Sequence, residues 1–111
     1  MTEPIDHFVV FEILIPRTNG RTGEVHSTER FDQWVLDTAE RYGGITVLGV
    51  NIFGLWFKDN KPIEDHSNWY KIGVKPSDVE ALREHARKTA KEFGQECLYF
   101  EHCGDADLLP A

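Results

Sequence analysis

The stretch ECLYFEHCGDAD, residues 96–107, gathers both cysteines of the chain, one histidine and four carboxylates. Thiolate, imidazole and carboxylate are the groups of zinc ligation and redox chemistry, so the stretch must be weighed as a metal or disulfide site. Spacing argues against both. On a strand, the six steps from Cys97 to Cys103 cover about 20 Å at ~3.3 Å per residue. A disulfide needs Cα atoms within about 7 Å, and shared metal ligation fails for the same reason. Neighbours diverge too: His102 and Glu101 point to opposite faces of a strand. The reading is two buried, inert thiols, no metal and no cofactor.

Three other segments carry candidate chemistry. Glu64-Asp65-His66 reads as part of a polar hairpin loop, where a solvated acidic triplet is favoured over a cation site. His26 precedes a helix, near the positive end of its dipole, and a solvated loop histidine is favoured over a general base or an anion contact. In Arg17-Thr18-Asn19-Gly20-Arg21-Thr22-Gly23 the glycines let backbone N–H groups converge, while Arg17 and Arg21 add charge, giving a weak anion-binding candidate. No Gly-Lys-Ser/Thr follows and Glu24 intrudes, so this is no nucleotide-binding P-loop. A mobile loop over a cleft or against a partner is favoured.

Composition narrows the class. The 111 residues suit one domain, expected over 1–111 with residues 1–7 and 104–111 as short tails. Lys plus Arg number 12 against 19 for Asp plus Glu, a formal net charge of −7 that repels a phosphate backbone, so no nucleic-acid partner is expected. The start MTEPID lacks the basic and apolar runs of an export signal, and no apolar run approaches the ~20 residues of a membrane span. These features predict a cytoplasmic protein without a membrane partner.

Positioning these residues requires a framework. FVVFEILI, residues 8–15, reads as a buried strand. After the polar connection 16–27, Phe31, Trp34, Val35, Thr38, Ala39 and Tyr42 recur at helical spacing, with Ser27 or Thr28 as cap and Gly43-Gly44 as stop. Residues 45–57 predict a long strand with Gly49 and Gly54 at bulges or close approaches. Residues 58–67 predict a loop, and 68–76 the returning strand. Ser77 and Glu80 match a capping box for a second helix, whose buried stripe is Val79, Leu82, Ala86, Thr89, Ala90 and Phe93. Residues 96–102 form the last strand. The order β-α-β-β-α-β predicts an α+β, ferredoxin-like fold: a four-stranded antiparallel sheet with both helices on one face.

The chain also resembles a family of small uncharacterised bacterial proteins, known only as a domain of unknown function. The resemblance rests on Gly44-Ile45-Thr46-Val47, Gly54-Leu55-Trp56 and Phe93-Gly94-Gln95-Glu96, and spans roughly residues 8–103. It implies the same fold and transfers no catalytic residue. Unlike many such proteins, the chain is expected to carry no export signal, so their location does not carry over.

Strand alternation then separates two faces. Val9, Phe11, Ile13 and Ile15, with Tyr70, Ile72, Val74, Leu98 and Phe100, should face the helices. The open face should carry Phe8, Val10, Glu12, Leu14, Trp69, Lys71, Tyr99 and Glu101, together with Cys97. With the first strand between the third and fourth, Glu12 lies between Lys71 and Tyr99 or Glu101. Two functions fit this mixed face. A second copy can pack here, making a homodimer in which Glu12 pairs with Lys71. Alternatively, the face lines a pocket for a small molecule, and in an enzyme Glu12 or Glu101 would be the general base with Tyr99 as hydrogen-bond donor. A carboxylate among apolar groups would have its pKa raised for that task.

Overall fold

The computed structural model describes residues 6–111. Its elements are β1 (Asp6–Pro16), α1 (Thr28–Tyr42), β2 (Thr46–Lys58), β3 (Lys61–Val74), α2 (Val79–Glu92) and β4 (Tyr99–Leu108). The strands form one antiparallel sheet in the order β2-β3-β1-β4. The expected ferredoxin-like arrangement is therefore present, with β1 between β3 and β4.

The inward faces are those read from alternation. Phe11, Ile13 and Ile15 of β1 and Tyr70, Ile72 and Val74 of β3 pack against Phe31 and Trp34 of α1 and Leu82 and Ala86 of α2. Leu98 and Phe100 border this core. Trp34 brings a polar N–H into it, satisfied by the Thr89 hydroxyl at 2.9 Å.

Helix boundaries follow local chemistry. The Ser27 hydroxyl caps α1 by accepting from the Arg30 amide at 3.2 Å. Gly43 closes α1 at φ +93°, with its N–H on the Ala39 carbonyl. The capping box expected at Ser77 and Glu80 does not form. A 3₁₀ turn over Pro76–Asp78 feeds α2 instead, and Asp78 at the cap position makes no side-chain cap bond. Pro76 pre-sets the φ of that turn and draws the start forward.

Three further boundaries differ from the sequence reading. The hairpin loop is not 58–67: Asp59 and Asn60, at φ +52° and +62°, make a two-residue turn. Asp and Asn tolerate this left-handed conformation, so two residues suffice to reverse the chain. Lys61–Ser67 then zip onto β2, from Lys58↔Lys61 back to Ile52↔Ser67. Residues 104–108 are not tail either. They continue β4 against the start of β1, with Asp107 opposite His7 and Ala106 opposite Phe8. Pairing with β1 supplies the backbone bonds that this acidic, poorly β-forming stretch cannot specify alone. At the other end, residues 96–98 precede β4 rather than opening it.

The long hairpin gives the molecule its shape. β1 ends at Pro16, opposite Ser67, so residues beyond Ile52 and before Ser67 project as a free two-stranded arm. The extents are 53 × 30 × 24 Å. The radius of gyration is 15.5 Å, against about 13 Å for a spherical domain of this length.

Candidate functional site

The register places Glu12 between Lys71 and Glu101. Its bonding is different from a simple ion pair. Trp69 Nε1 donates to Glu12 Oε1 at 2.8 Å. The Cys103 thiol donates to Glu12 Oε2 at 3.3 Å. Among the described residues no ion pair joins Lys71 to Glu12. The indole reaches the oxygen from the neighbouring strand, while Lys71 extends into solvent.

Cys103 arrives there through a bulge. Phe11 opposes His102 and Val10 opposes Gly104, leaving Cys103 as the extra residue. Gly104, at φ +100°, absorbs the irregular backbone. Partial desolvation of the sulfur, followed by the bond to Glu12, pushes the Cys103 thiol up to about 11. Both cysteines are free and exposed, contrary to the expectation of buried thiols. Beside them the Tyr99 hydroxyl donates to Glu101 Oε1 at 2.9 Å, which raises the tyrosine pKa. His102 turns to the inner face and packs on Phe11, 5.2 Å between rings, as alternation requires.

The large apolar groups of the open face are largely covered within the chain. Val10 is buried, and Phe8, Leu14 and Trp69 are half-buried. Phe8 lies over Gly73, and Trp69 beside Gly49. The exposed apolar surface is on the arm instead: Phe53, Leu55 and Phe57 are 57%, 51% and 71% exposed. Because Phe53, Leu55 and Phe57 alternate with Gly54 and Trp56, the arm presents two distinct faces.

The second face closes a groove of about 790 Å³ at the arm end of the open sheet. Leu14 and Tyr99 form its wall on the sheet side, Trp56, Ile63 and Asp65 its wall on the arm, and Arg21 its rim. The Trp56 and Tyr99 rings approach to 6.4 Å between centroids although they stand on opposite edge strands. Lys58 and Glu96 clasp the arm to the approach of β4 at 3.5 Å. Of the residues singled out from sequence, Leu14, Tyr99, Arg21, Cys97 and Asp65 line this groove. Glu12, Glu101, Phe8, Val10, Trp69, Lys71 and Arg17 do not. Trp56 and Ile63 were missed as site residues, and Asp65 was weighed only as part of a loop cation site. Gly54 was the available signal, because a glycine within a strand marks a close approach.

The rim loop is tied to the body of the domain by hydrogen bonds. Asn19 Oδ1 accepts from the amides of Arg21 and Thr22. Gly20 donates to the Gly94 carbonyl at 3.1 Å, and Gln95 Nε2 donates to the Thr18 carbonyl at 2.7 Å. Gly94 takes φ +68° with the Asn19 side chain packed where a Cβ would stand. The two arginines diverge: Arg17 donates to Asn68 Oδ1 at 3.1 Å and lies over Phe31, while Arg21 remains exposed. His26 is buried and not solvated; its Nε2–H donates to the Phe93 carbonyl at 2.9 Å, fixing the loop to the end of α2. Glu64, Asp65 and His66 lie on β3, where alternation turns Asp65 away from its neighbours. No group of three metal-ligating side chains occurs among the described residues.

The fold recurs in solved structures. One similar structure is a divalent cation tolerance protein (Cut A1) from Thermus thermophilus, at 12% identity and TM-score 0.53, covering 96% of this chain and 85% of that one. Another is a phage SAM lyase in complex with S-methyl-5′-thioadenosine, at 11% identity and TM-score 0.61, covering 99% and 95%. At such identities the likeness extends to the fold alone. Neither a family model nor a curated protein matches the sequence. No helix among the described residues is long and apolar enough to cross a membrane.

Proposed function

We propose that this chain is a self-associating ferredoxin-like domain that binds a small molecule in the groove between its arm and β4. The observation that carries self-association is the arm. From Thr46 to Phe57, β2 contains no charged residue, and β2 is a free sheet edge. The opposite edge, β4, is guarded by Glu101, Asp105 and Asp107 and by its bulge, the usual protection against strand pairing. β2 is irregular near its start, between Val47 and Ile52, but from Ile52 to Phe57 its pairing is regular and it carries no charge.

The exposed parts of Val47, Val50, Phe53, Leu55 and Phe57 amount to roughly 500 Å² of apolar surface. A standard interface buries about 800 Å² per partner, somewhat over half of it apolar, so the supply matches the need. A second copy is the occupant this surface fits, because an uncharged edge can pair with its own equivalent. Sedimentation or light scattering tests this. The expectation is a defined oligomer that Phe53→Lys with Phe57→Lys converts to a folded monomer. A wild-type monomer at ~100 μM would overturn the reading.

The groove supports the ligand half. Its size lies within the range of small-molecule sites, about 300–1,000 Å³. A catalytic version is favoured by one contact: the Tyr99 ring lines the groove while its hydroxyl bonds Glu101. That pair can move a proton between the groove and a carboxylate. The SAM lyase likeness supplies a substrate to try. Incubation with SAM should release S-methyl-5′-thioadenosine, and Tyr99→Phe or Glu101→Gln should abolish release. Absence of product with the oligomeric wild type excludes this version and leaves binding standing.

A further inference from the structure

We infer that the groove takes a compact organic cation, such as a quaternary ammonium centre, against Trp56 and Tyr99 with Asp65 as its counter-ion. The inference names the ligand class of the groove and rests on the reading of that groove as a binding site.

The aromatic pair comes first. Trp56 and Tyr99 line the groove yet remain 43% and 49% exposed. Their centroids are 6.4 Å apart and their planes inclined at 37°. Two rings so placed leave an open wedge, and a centre on its groove side can lie within about 6 Å of both centroids. At that distance ring quadrupoles attract a cation, most of all one with a soft, weakly hydrated charge.

The position of the unpaired charges in the groove fits the same class. Its titratable lining is Arg21, Lys58, Asp65 and Glu96, with Tyr99 and Cys97. Lys58 is committed to Glu96 at 3.5 Å. Asp65 is half-buried and takes part in no ion pair among the described residues. A half-buried carboxylate without a counter-charge is an incomplete arrangement that a bound cation completes.

The floor is shaped for it. Asp65 Oδ1 and Trp56 Nε1 both lie against the bare backbone of Gly54, 2.6 and 2.9 Å from where a Cβ would stand. Leu14 and Ile63 supply apolar contact for alkyl groups. A hard metal ion would require several oxygens, and only one unpaired carboxylate is present among the described lining residues. Arg21, at the rim, suits an anionic group elsewhere on the same ligand.

The test uses the full chain in its native oligomeric state, with choline and its neutral isostere 3,3-dimethylbutan-1-ol as probes. Amide shifts and Trp fluorescence report binding. Choline should bind at least about tenfold more tightly than the alcohol. Asp65→Asn and Trp56→Leu should each remove about tenfold, Gly54→Ala should abolish binding with the fold kept by circular dichroism, and Tyr99→Phe should retain it. Equal binding of the two probes overturns the cation class while the groove reading stands. Failure of both probes to perturb groove residues overturns both.

Discussion

Trp69 and Glu12 are diagonal neighbours across the β1–β3 boundary, and the indole N–H holds one carboxylate oxygen at 2.8 Å. The contact orients Glu12 so that its other oxygen meets Cys103 on β4. Three strands are thus tied together on the open face by one side chain. A hydrogen bond to a charged group contributes about 1.5–3 kcal/mol. Trp69→Phe, which keeps an aromatic ring and deletes the donor, should lower unfolding free energy by about 1–2 kcal/mol. Urea denaturation measures it, and a loss unchanged in the Glu12→Gln background would show that the bond is not its source.

Cys103 should be a slow thiol despite its exposure. With its pKa pushed up to about 11 from an ordinary 9.0, the thiolate fraction near pH 8 falls about a hundredfold. Alkylation followed by mass spectrometry should label Cys97 first. Desolvation is the first cause and Glu12 the second, so Glu12→Gln should accelerate labelling of Cys103 in part; an unchanged rate would contradict the part assigned to Glu12.

His85 links the two helices in its neutral form. Its Nε2 bonds the Thr38 hydroxyl at 2.9 Å, Arg41 approaches Nδ1 at 3.3 Å, and the ring stacks on Trp34 and adjoins Tyr42. Burial, then Arg41 and Lys88, lower its pKa, with Asp37 opposing. Below about pH 6.5 the unfolded chain therefore binds a proton that the folded chain resists, and stability falls with pH until the folded-state pKa is passed. Thermal melts from pH 8 to pH 5 should show this decline, and His85→Gln should flatten it.

The two-residue turn is improvable. Asn60 sits at φ +62°, where glycine is less strained, so Asn60→Gly should stabilise the arm by up to about 1 kcal/mol. Asn60→Val should cost more than that and loosen the groove. Amide exchange across Leu55–Glu64 reads the arm directly.

Gly94 should tolerate no side chain. Its positive φ alone makes alanine cost about 1–2 kcal/mol, and the packed Asn19 side chain adds a clash. Gly94→Ala should destabilise by about 2–3 kcal/mol, with partial rescue by Asn19→Gly, in chemical denaturation.

The sequence by itself determined the element order, the helix stops and which side chains face the core. Each is written locally: the 3.6 and 2.0 periods mark Phe31, Trp34 and Leu82 or Phe11, Ile13 and Ile15 as buried, and Gly43 as a stop. Alternation also put Glu12, Tyr99 and Glu101 on the open face, where they stand. Tertiary structure decided the rest. Residues 104–108 are strand only because β1 offers them a pairing edge. Cys103 meets Glu12 only because a bulge adds one residue to β4. Trp56 meets Tyr99 only because the projecting arm folds toward β4. These contacts join residues far apart in the chain, and no local period encodes where a long hairpin will lean. The groove is therefore a property of the folded chain, while the faces that build it belong to the sequence.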